Sequence, residues 1–74
     1  MNKLPVVSGQ DVIRALKKVG YVADHQTGSH IILRQRQHPH RRLTVPDHTE
    51  LAKGTLRSII RQAGLTVEEL RTLL

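Results

Sequence analysis

Residues 27–36 read TGSHIILRQR, and this stretch anchors the interpretation of the whole chain. Gly28 and Ser29 form a turn-favouring pair, and the residues after them are the most strand-like in the sequence. A histidine, His30, is the first residue of that predicted strand. Its imidazole could belong to a solvated strand end, a metal site or a catalytic base.

The strand that begins at His30 defines two faces, because a β-strand sends alternate side chains to opposite sides. We expect the core side to carry Ile31 and Leu33, and the solvent side to carry His30, Ile32 and Arg34. A slip of one residue would reverse this assignment. The next strand-like run, RRLTVP at 41–46, is expected to place Leu43 and Val45 in the core and Arg42 and Thr44 on the solvent side.

Two helices have clear signals. VVSGQDVIRALKKVG at 6–20 has an N-cap at Ser8 and a stop at Gly20. Its predicted apolar stripe is Val12, Ile13, Leu16 and Val19. GTLRSIIRQAG at 54–64 ends at Gly64, and its stripe is Leu56, Ile59, Ile60 and Ala63.

Two shorter segments complete the chain. YVADHQ at 21–26 is interpreted as a strand with Tyr21 and Ala23 inward. TVEELRTLL at 66–74 opens with a capping box from Thr66 to Glu69, which predicts a short closing helix. Its inward residues are expected to be Val67, Leu70, Leu73 and Leu74.

The order of these elements predicts an α+β fold, α-β-β-β-α with a short extra C-terminal helix. Three short strands joined by tight turns form an antiparallel sheet, and the helices are expected to cover one face of it. The other face stays open to solvent or a partner. The length of 74 residues fits a single domain, 1–74.

Charge is the dominant compositional feature. Twelve Lys and Arg residues against six Asp and Glu give a formal net charge of +6. A compact basic domain favours a polyanion such as nucleic acid, although a merely cationic surface is the alternative. Tyr21 is the sole Phe, Tyr or Trp, so base stacking is disfavoured and phosphate contacts would have to supply the affinity. The sequence has no cysteine and no long apolar run, and we expect a cytoplasmic protein without a signal peptide.

Several segments together resemble the HicA mRNA interferase toxins. They are GSH at 28–30, TVP at 44–46, the histidine at 48 and KGTLRSIIRQAGL at 53–65. The resemblance covers nearly the whole chain. It implies a fold like that of the double-stranded-RNA-binding domain, cleavage of mRNA, and inhibition by a HicB-like antitoxin that would cover the His30 face. It also implies that His30 is the catalytic residue and that Gly28 and Ser29 form the turn that positions it.

The chain departs from the family pattern in two places. Members often carry an aromatic residue shortly after the motif histidine, where this chain has Ile31, Ile32 and Leu33. The segment QRQHPHRR at 35–42 holds two additional histidines. Neither difference touches the GSH motif itself.

Imidazole chemistry suits RNA cleavage, because RNA carries its own nucleophile in the 2′-hydroxyl. A base that removes that proton promotes attack on the adjacent phosphorus without a metal or cofactor. The leaving 5′-oxygen needs a proton from a second group, for which His48 and His25 are the candidates. We favour His48, because Asp47 beside it could orient the ring; a structural loop histidine is the alternative.

Basic residues form two predicted phosphate-binding groups. The first is Arg34, Arg36, Arg41 and Arg42, on the second and third strands and their connection. The second is Lys53, Arg57 and Arg61, which are spaced four apart and would line one edge of a helix. That edge could equally be an ordinary solvated face or a contact for an acidic antitoxin.

Other functions are less consistent with the sequence. The HPH pair at 38–40 resembles metal ligands, but there is no cysteine and no helical His-x-x-x-His, so no metal site is predicted. A non-catalytic double-stranded-RNA-binding module shares the fold and charge, and a DNA-binding accessory protein is a third interpretation. The free protein is expected to be a monomer.

Overall fold

The computed structural model describes residues 3–74, so the first two residues of the predicted domain lie outside it. Its elements follow the predicted order: α1 (Gly9–Lys17), β1 (Tyr21–Thr27), β2 (His30–Gln35), β3 (Arg42–Pro46), α2 (Lys53–Gln62) and α3 (Val67–Leu73). The strands form one antiparallel sheet in the order β1-β2-β3. The predicted α-β-β-β-α fold with a short closing helix is confirmed.

Capping explains where two of the helices begin. Ser8 accepts from the Asp11 backbone N–H, and the Asp11 carboxylate accepts from the Ser8 N–H, both at 3.0 Å. Thr66 and Glu69 form the same reciprocal pair at the start of α3, as the sequence predicted. The α2 helix starts after Ala52 without a side-chain cap. None of the helices in residues 3–74 is long and apolar enough to cross a membrane.

Two glycines are required by the geometry of the chain. Gly28 takes φ +58° as the first of two turn residues between β1 and β2, a conformation that residues with a Cβ rarely adopt. Gly9 sits where α1 meets the end of β3, and a Cβ there would overlap the carbonyl oxygen of Pro46. The Gly9 N–H also donates to the His48 carbonyl at 2.9 Å, which ties the start of α1 to the loop after β3.

The helices cover one face of the sheet, as predicted. Leu33 and Val45 are completely buried, and Ile31 and Leu43 retain at most 7% exposure. They pack with the predicted stripe of α2, whose members Leu56, Ile59, Ile60 and Ala63 are all buried. The predicted strand register is therefore confirmed for β2 and β3.

Three residues that the sequence predicted as inward are exposed instead. Ala23 lies opposite Leu33 on the core side, but β1 is an edge strand and only its first residue, Tyr21, is buried. Val19 is 38% exposed, because α1 ends at Lys17 and the helical spacing no longer applies. Leu74 is 45% exposed, since it follows the last residue of α3.

The uncovered surface of the sheet is called the outer face here. The pairings His30–Pro46, Ile32–Thr44 and Arg34–Arg42 place these β2 and β3 residues on it. From β1 it receives Val22, His25 and Thr27, which lie opposite Arg34, Ile32 and His30. The register of β1 shifts between Ala23 and His25, which marks a β-bulge at Asp24.

Candidate functional site

His30 begins β2 directly after the Gly28–Ser29 turn, and its side chain is exposed on the outer face. The backbone around it is well held. The Asp47 N–H donates to the Ser29 carbonyl at 2.6 Å, which extends the β2–β3 pairing by one step past His30. The turn and the end of β3 therefore fix the backbone of His30 at one end of the sheet.

Two of the predicted phosphate-binding arginines share this face. Arg34 and Arg42 lie directly opposite each other on β2 and β3. Arg34 is half-buried, whereas the Arg42 side chain is 61% exposed. Guanidinium groups in such a pair present several donors to one region of the surface, which suits the oxygens of a phosphodiester.

An acidic residue, Asp24, lies among these cations and was not predicted as part of the site. Its Oδ2 accepts from Arg42 Nη2 at 2.7 Å and lies 3.4 Å from His25 Nδ1. Desolvation acts to raise the pKa of Asp24. The contact with His25 and the charges of Arg42 and Arg34 act in the opposite direction, and the net pKa lies below its ordinary 3.8. The carboxylate is therefore ionised at neutral pH.

The other two arginines of the first predicted group lie elsewhere. Arg36 follows the far end of β2, about 20 Å from His30 at roughly 3.3 Å per residue. The Arg41 guanidinium packs against Gly64 after the end of α2, where a Cβ on that glycine would lie 2.9 Å from Nη1. A cation there complements the negative end of the helix dipole.

The predicted second group lies on the helix layer. Lys53, Arg57 and Arg61 are exposed along one edge of α2, while the opposite side of that helix packs into the core. Within residues 3–74 none of the three forms an ion pair. They are therefore available to an anion, but on a different surface from His30.

His48 lies in the loop after β3, near the turn that carries His30. Its backbone carbonyl accepts from Gly9, and its side chain is exposed. The Asp47 carboxylate accepts from Gln10 Nε2 at 3.1 Å and makes no hydrogen bond to His48 in the described chain. The hypothesis that Asp47 orients His48 therefore finds no support in the contacts.

The HPH segment lies at the opposite end of β2 from His30. The rings of His38 and His40 meet edge to face, with centroids 6.2 Å apart. In the stretch from Lys3 to Leu74 no group of three or more His, Asp or Glu side chains is placed to hold a metal ion. What the outer face brings together is thus two imidazoles, two guanidiniums and one carboxylate.

Sequence reasoning missed the role of Asp24 because alternation alone cannot reveal a bulge. Regular alternation would put Asp24 and His25 on opposite sides of the sheet, whereas the bulge turns both toward the outer face. The one local signal is the adjacent acid and histidine in a stretch, residues 19–33, that contains no Lys or Arg. Until the pairing of β1 with β2 is known, that signal does not indicate which face of the sheet each of the two side chains occupies.

Comparison with known proteins now identifies the family. The family model described as "HicA toxin of bacterial toxin-antitoxin" matches residues 9–65, from the first residue of α1 to just beyond α2. No curated protein matches the chain. The matched segment contains the whole sheet and every outer-face residue described above. The chain therefore belongs to the HicA toxin family of bacterial toxin–antitoxin systems.

Proposed function

We propose that this chain is an endoribonuclease that cleaves mRNA without a metal ion, and that His30 is the group that transfers a proton from the 2′-hydroxyl. The observation that carries the proposal is the exposure of His30, the histidine of the GSH motif, on the same face as Arg34 and Arg42. Family membership supports a toxin role. Cleavage of cellular mRNA is a direct way for a chain of this kind to be toxic.

The chemistry needs only groups that the outer face and the RNA supply. His30 accepts the 2′-hydroxyl proton, and the 2′-oxygen attacks the neighbouring phosphorus. Histidine is a common general acid and base in enzymes, and such catalysis contributes about 10²- to 10⁴-fold. The expected first product is a 2′,3′-cyclic phosphate, which water then opens.

Arg34 and Arg42 are proposed to bind the phosphate oxygens as negative charge builds on the phosphorane. Strand pairing keeps the two residues opposite each other before the substrate arrives, which favours binding of one phosphate group by both side chains. Arg42 is already paired with Asp24 at 2.7 Å, and the phosphate would share or replace that contact. Arg36, Arg41 and the α2 group of Lys53, Arg57 and Arg61 would bind more distant parts of the RNA.

A HicB-like antitoxin is the proposed partner, and it would silence the toxin by covering the outer face. The face is open, and the chain carries a net charge of +6, which favours an acidic partner surface. In a purified complex, His30 should be protected from an imidazole-reactive reagent such as diethyl pyrocarbonate. Full modification of His30 in the inhibited complex would argue against simple occlusion.

The decisive experiment compares wild type with His30→Ala and His30→Gln on end-labelled mRNA fragments in excess EDTA. We expect the variants to cleave about 10²- to 10⁴-fold more slowly than wild type. The wild-type products should end in a 2′,3′-cyclic phosphate or its hydrolysis product. A 2′-deoxy substitution at the cleaved nucleotide should block that cut.

His38→Ala is the matched control, because this exposed histidine lies at the opposite end of β2. It should cleave like wild type. Equal rates for wild type and His30→Ala would refute the role given to His30. Loss of wild-type activity in EDTA would refute the metal-independent mechanism.

A non-catalytic RNA-binding module is the second candidate, favoured by the exposed basic edge of α2. It predicts tight binding with the RNA recovered intact. The cleavage assay on end-labelled mRNA distinguishes the two functions, because it shows whether the RNA is cut. Competition with DNA of matched sequence tests for a DNA-binding protein, which would show no preference for ribose.

A further inference from the structure

The bulge in β1 places two consecutive residues on one face of the sheet. Ala23 pairs with Leu33 and His25 pairs with Ile32, which leaves Asp24 as the extra residue. Ile32 belongs to the outer face, so His25 does too. Asp24 reaches Arg42 on the same face. Bulges commonly re-aim a side chain in this way, and here the result is a carboxylate beside an imidazole.

The Asp24 carboxylate lies beside one nitrogen of the His25 ring. Its Oδ2 lies 3.4 Å from Nδ1, and the same oxygen is fixed by Arg42 Nη2 at 2.7 Å. A carboxylate at Nδ1 selects the tautomer and orientation in which Nε2 faces the other way. The His25 side chain is 56% exposed, and no hydrogen bond to its Nε2 occurs within residues 3–74. The second nitrogen is thus accessible to a ligand on the outer face.

His25 and His30 are diagonal neighbours on adjacent strands. His25 lies opposite Ile32, and His30 lies two residues from Ile32 on the same side of β2. Diagonal neighbours are separated by about 7–8 Å, so two long side chains can approach one group between them. The charged and titratable groups on the same face as His25 are Asp24 on its own strand, Arg34 and His30 on β2, and Arg42 on β3.

We propose that His25 is the second proton-transfer group of the RNA cleavage described above, and that Asp24 is its positioning residue. This inference rests on the proposed function. It departs from the sequence-based preference for His48, whose neighbouring carboxylate bonds to Gln10 instead. His25 combines a carboxylate partner with a place on the same face as His30.

The proposed reaction transfers one proton to His30 and one proton from His25. His30 takes the proton from the 2′-hydroxyl while the bond between the 2′-oxygen and phosphorus forms. The bond between phosphorus and the 5′-oxygen breaks, and the protonated His25 gives its Nε2 proton to that oxygen. The products are a 2′,3′-cyclic phosphate and a 5′-hydroxyl. Both rings then return to their starting states by proton exchange with water.

A leaving-group substitution tests this role directly. After the cleavage position on one RNA is mapped, the same RNA is made with sulfur in place of the bridging 5′-oxygen at that position. A thiolate leaves without needing a proton. We expect His25→Ala to slow cleavage of the oxygen substrate by about 10²- to 10⁴-fold and to cleave the sulfur substrate at nearly the wild-type rate. His30→Ala should be slow on both substrates.

Asp24→Asn separates positioning from structure. It should slow cleavage of the oxygen substrate by about tenfold or more, a smaller loss than His25→Ala gives. The sulfur substrate should lose clearly less rate, because only the effect of Asp24 on Arg42 acts on both substrates. Asp24→Glu should recover part of the rate. A purely structural role for Asp24 would lower both rates equally. His38→Ala is again the matched control. Thermal unfolding checks that each variant folds. If His25→Ala does not fold, His25→Gln takes its place.

Three outcomes would overturn the assignment while leaving the proposed ribonuclease activity intact. The first is a His25→Ala rate equal to wild type on the oxygen substrate. The second is an equal loss of rate on both substrates, which would indicate that His25 only binds the RNA. A sulfur-rescued loss in His48→Ala, absent from His25→Ala, would assign the proton to His48. If wild type cleaves no RNA, the proposed function fails and this inference fails with it.

Discussion

The inner and outer faces of the sheet are formed by the same strands, but they differ in which side chains and which irregularities of the backbone they accommodate. On the inner face, β2 and β3 alternate without a break and bury Ile31, Leu33, Leu43 and Val45 under the helices. On the outer face, charged side chains share space with Ile32 and Thr44, and a bulge interrupts the regular pattern of β1. The inner face therefore determines stability, and the outer face is left free to carry chemistry.

This difference has a physical basis. A buried apolar side chain contributes through area removed from water and close packing, and any aliphatic residue of the right size can do this. The outer face depends on particular groups at particular distances, such as Asp24 between Arg42 and His25. Substitutions on the two faces should therefore separate folding from activity.

The largest effect on stability is expected for Leu33→Ala. Leu33 is completely buried, and its truncation leaves a cavity in a small core. We expect a loss of about 2–5 kcal/mol in the free energy of unfolding, measured by urea denaturation. Thr44→Ala, on the outer face of the neighbouring strand, is the comparison and should change stability by about 0.5 kcal/mol or less. Similar losses for the two variants would contradict the division between the faces.

A smaller effect is expected for RNA binding by the outer-face arginines. In a His30→Ala background that keeps the RNA intact, Arg34→Ala and Arg42→Ala should each weaken binding several-fold. Each should also reduce the slope of log affinity against log salt by about 0.7, the value for one contact with single-stranded RNA. Lys17→Ala removes the same charge from α1 on the helix layer. Equal losses for Lys17→Ala would mean that net charge, and not the outer face, controls binding.

The smallest effect is expected for the change in Tm when a carboxylate with a lowered pKa is replaced. Hydrogen bonds from Ser8 lower the pKa of Asp11 below 3.8, with a further contribution from Arg14, and the pKa of Asp24 is also lowered. A carboxyl whose folded-state pKa is depressed stabilises the fold above its unfolded value, and this stability is lost as the pH falls through the folded value. Asp11→Asn and Asp24→Asn should therefore lower Tm at pH 7, and the difference from wild type should shrink below pH 3.8.

Glu50→Gln is the control for the acid range, because the Glu50 carboxylate has no ion pair or hydrogen bond within residues 3–74. Its Tm should differ little from wild type at either pH. A constant Tm difference between Asp11→Asn and wild type from pH 7 to pH 3 would show that the carboxylate acts by shape and not by charge.

Most of the fold could be predicted because its signals are local. The period of two in HIILRQ, the turn at Gly28 and Ser29, and the capping box from Thr66 to Glu69 each depend on residues close in sequence. The errors arose where a local period was extended past its element, as at Val19 and Leu74. Ala23 lies on the predicted side of the sheet but is exposed, because burial on an edge strand depends on how far the helices reach.

The candidate site was only partly predictable. Alternation correctly placed His30, Arg34 and Arg42 on one face, because all three belong to the regular ladder of β2 and β3. It could not separate them from Arg41, whose guanidinium turns back onto Gly64. It could not bring Asp24 and His25 to the same face, because a bulge is a property of a strand pair.

The sequence by itself determined the order of the elements, the apolar faces and the GSH motif, since hydrophobic period, capping and turn chemistry are encoded in neighbouring residues. Only the tertiary structure decided which charged groups meet. The contact of Asp24 with Arg42 crosses from β1 to β3 and joins residues that are 18 apart in the chain. Such contacts depend on strand register, twist and the bulge, and these are set by the packing of the whole sheet against its helices.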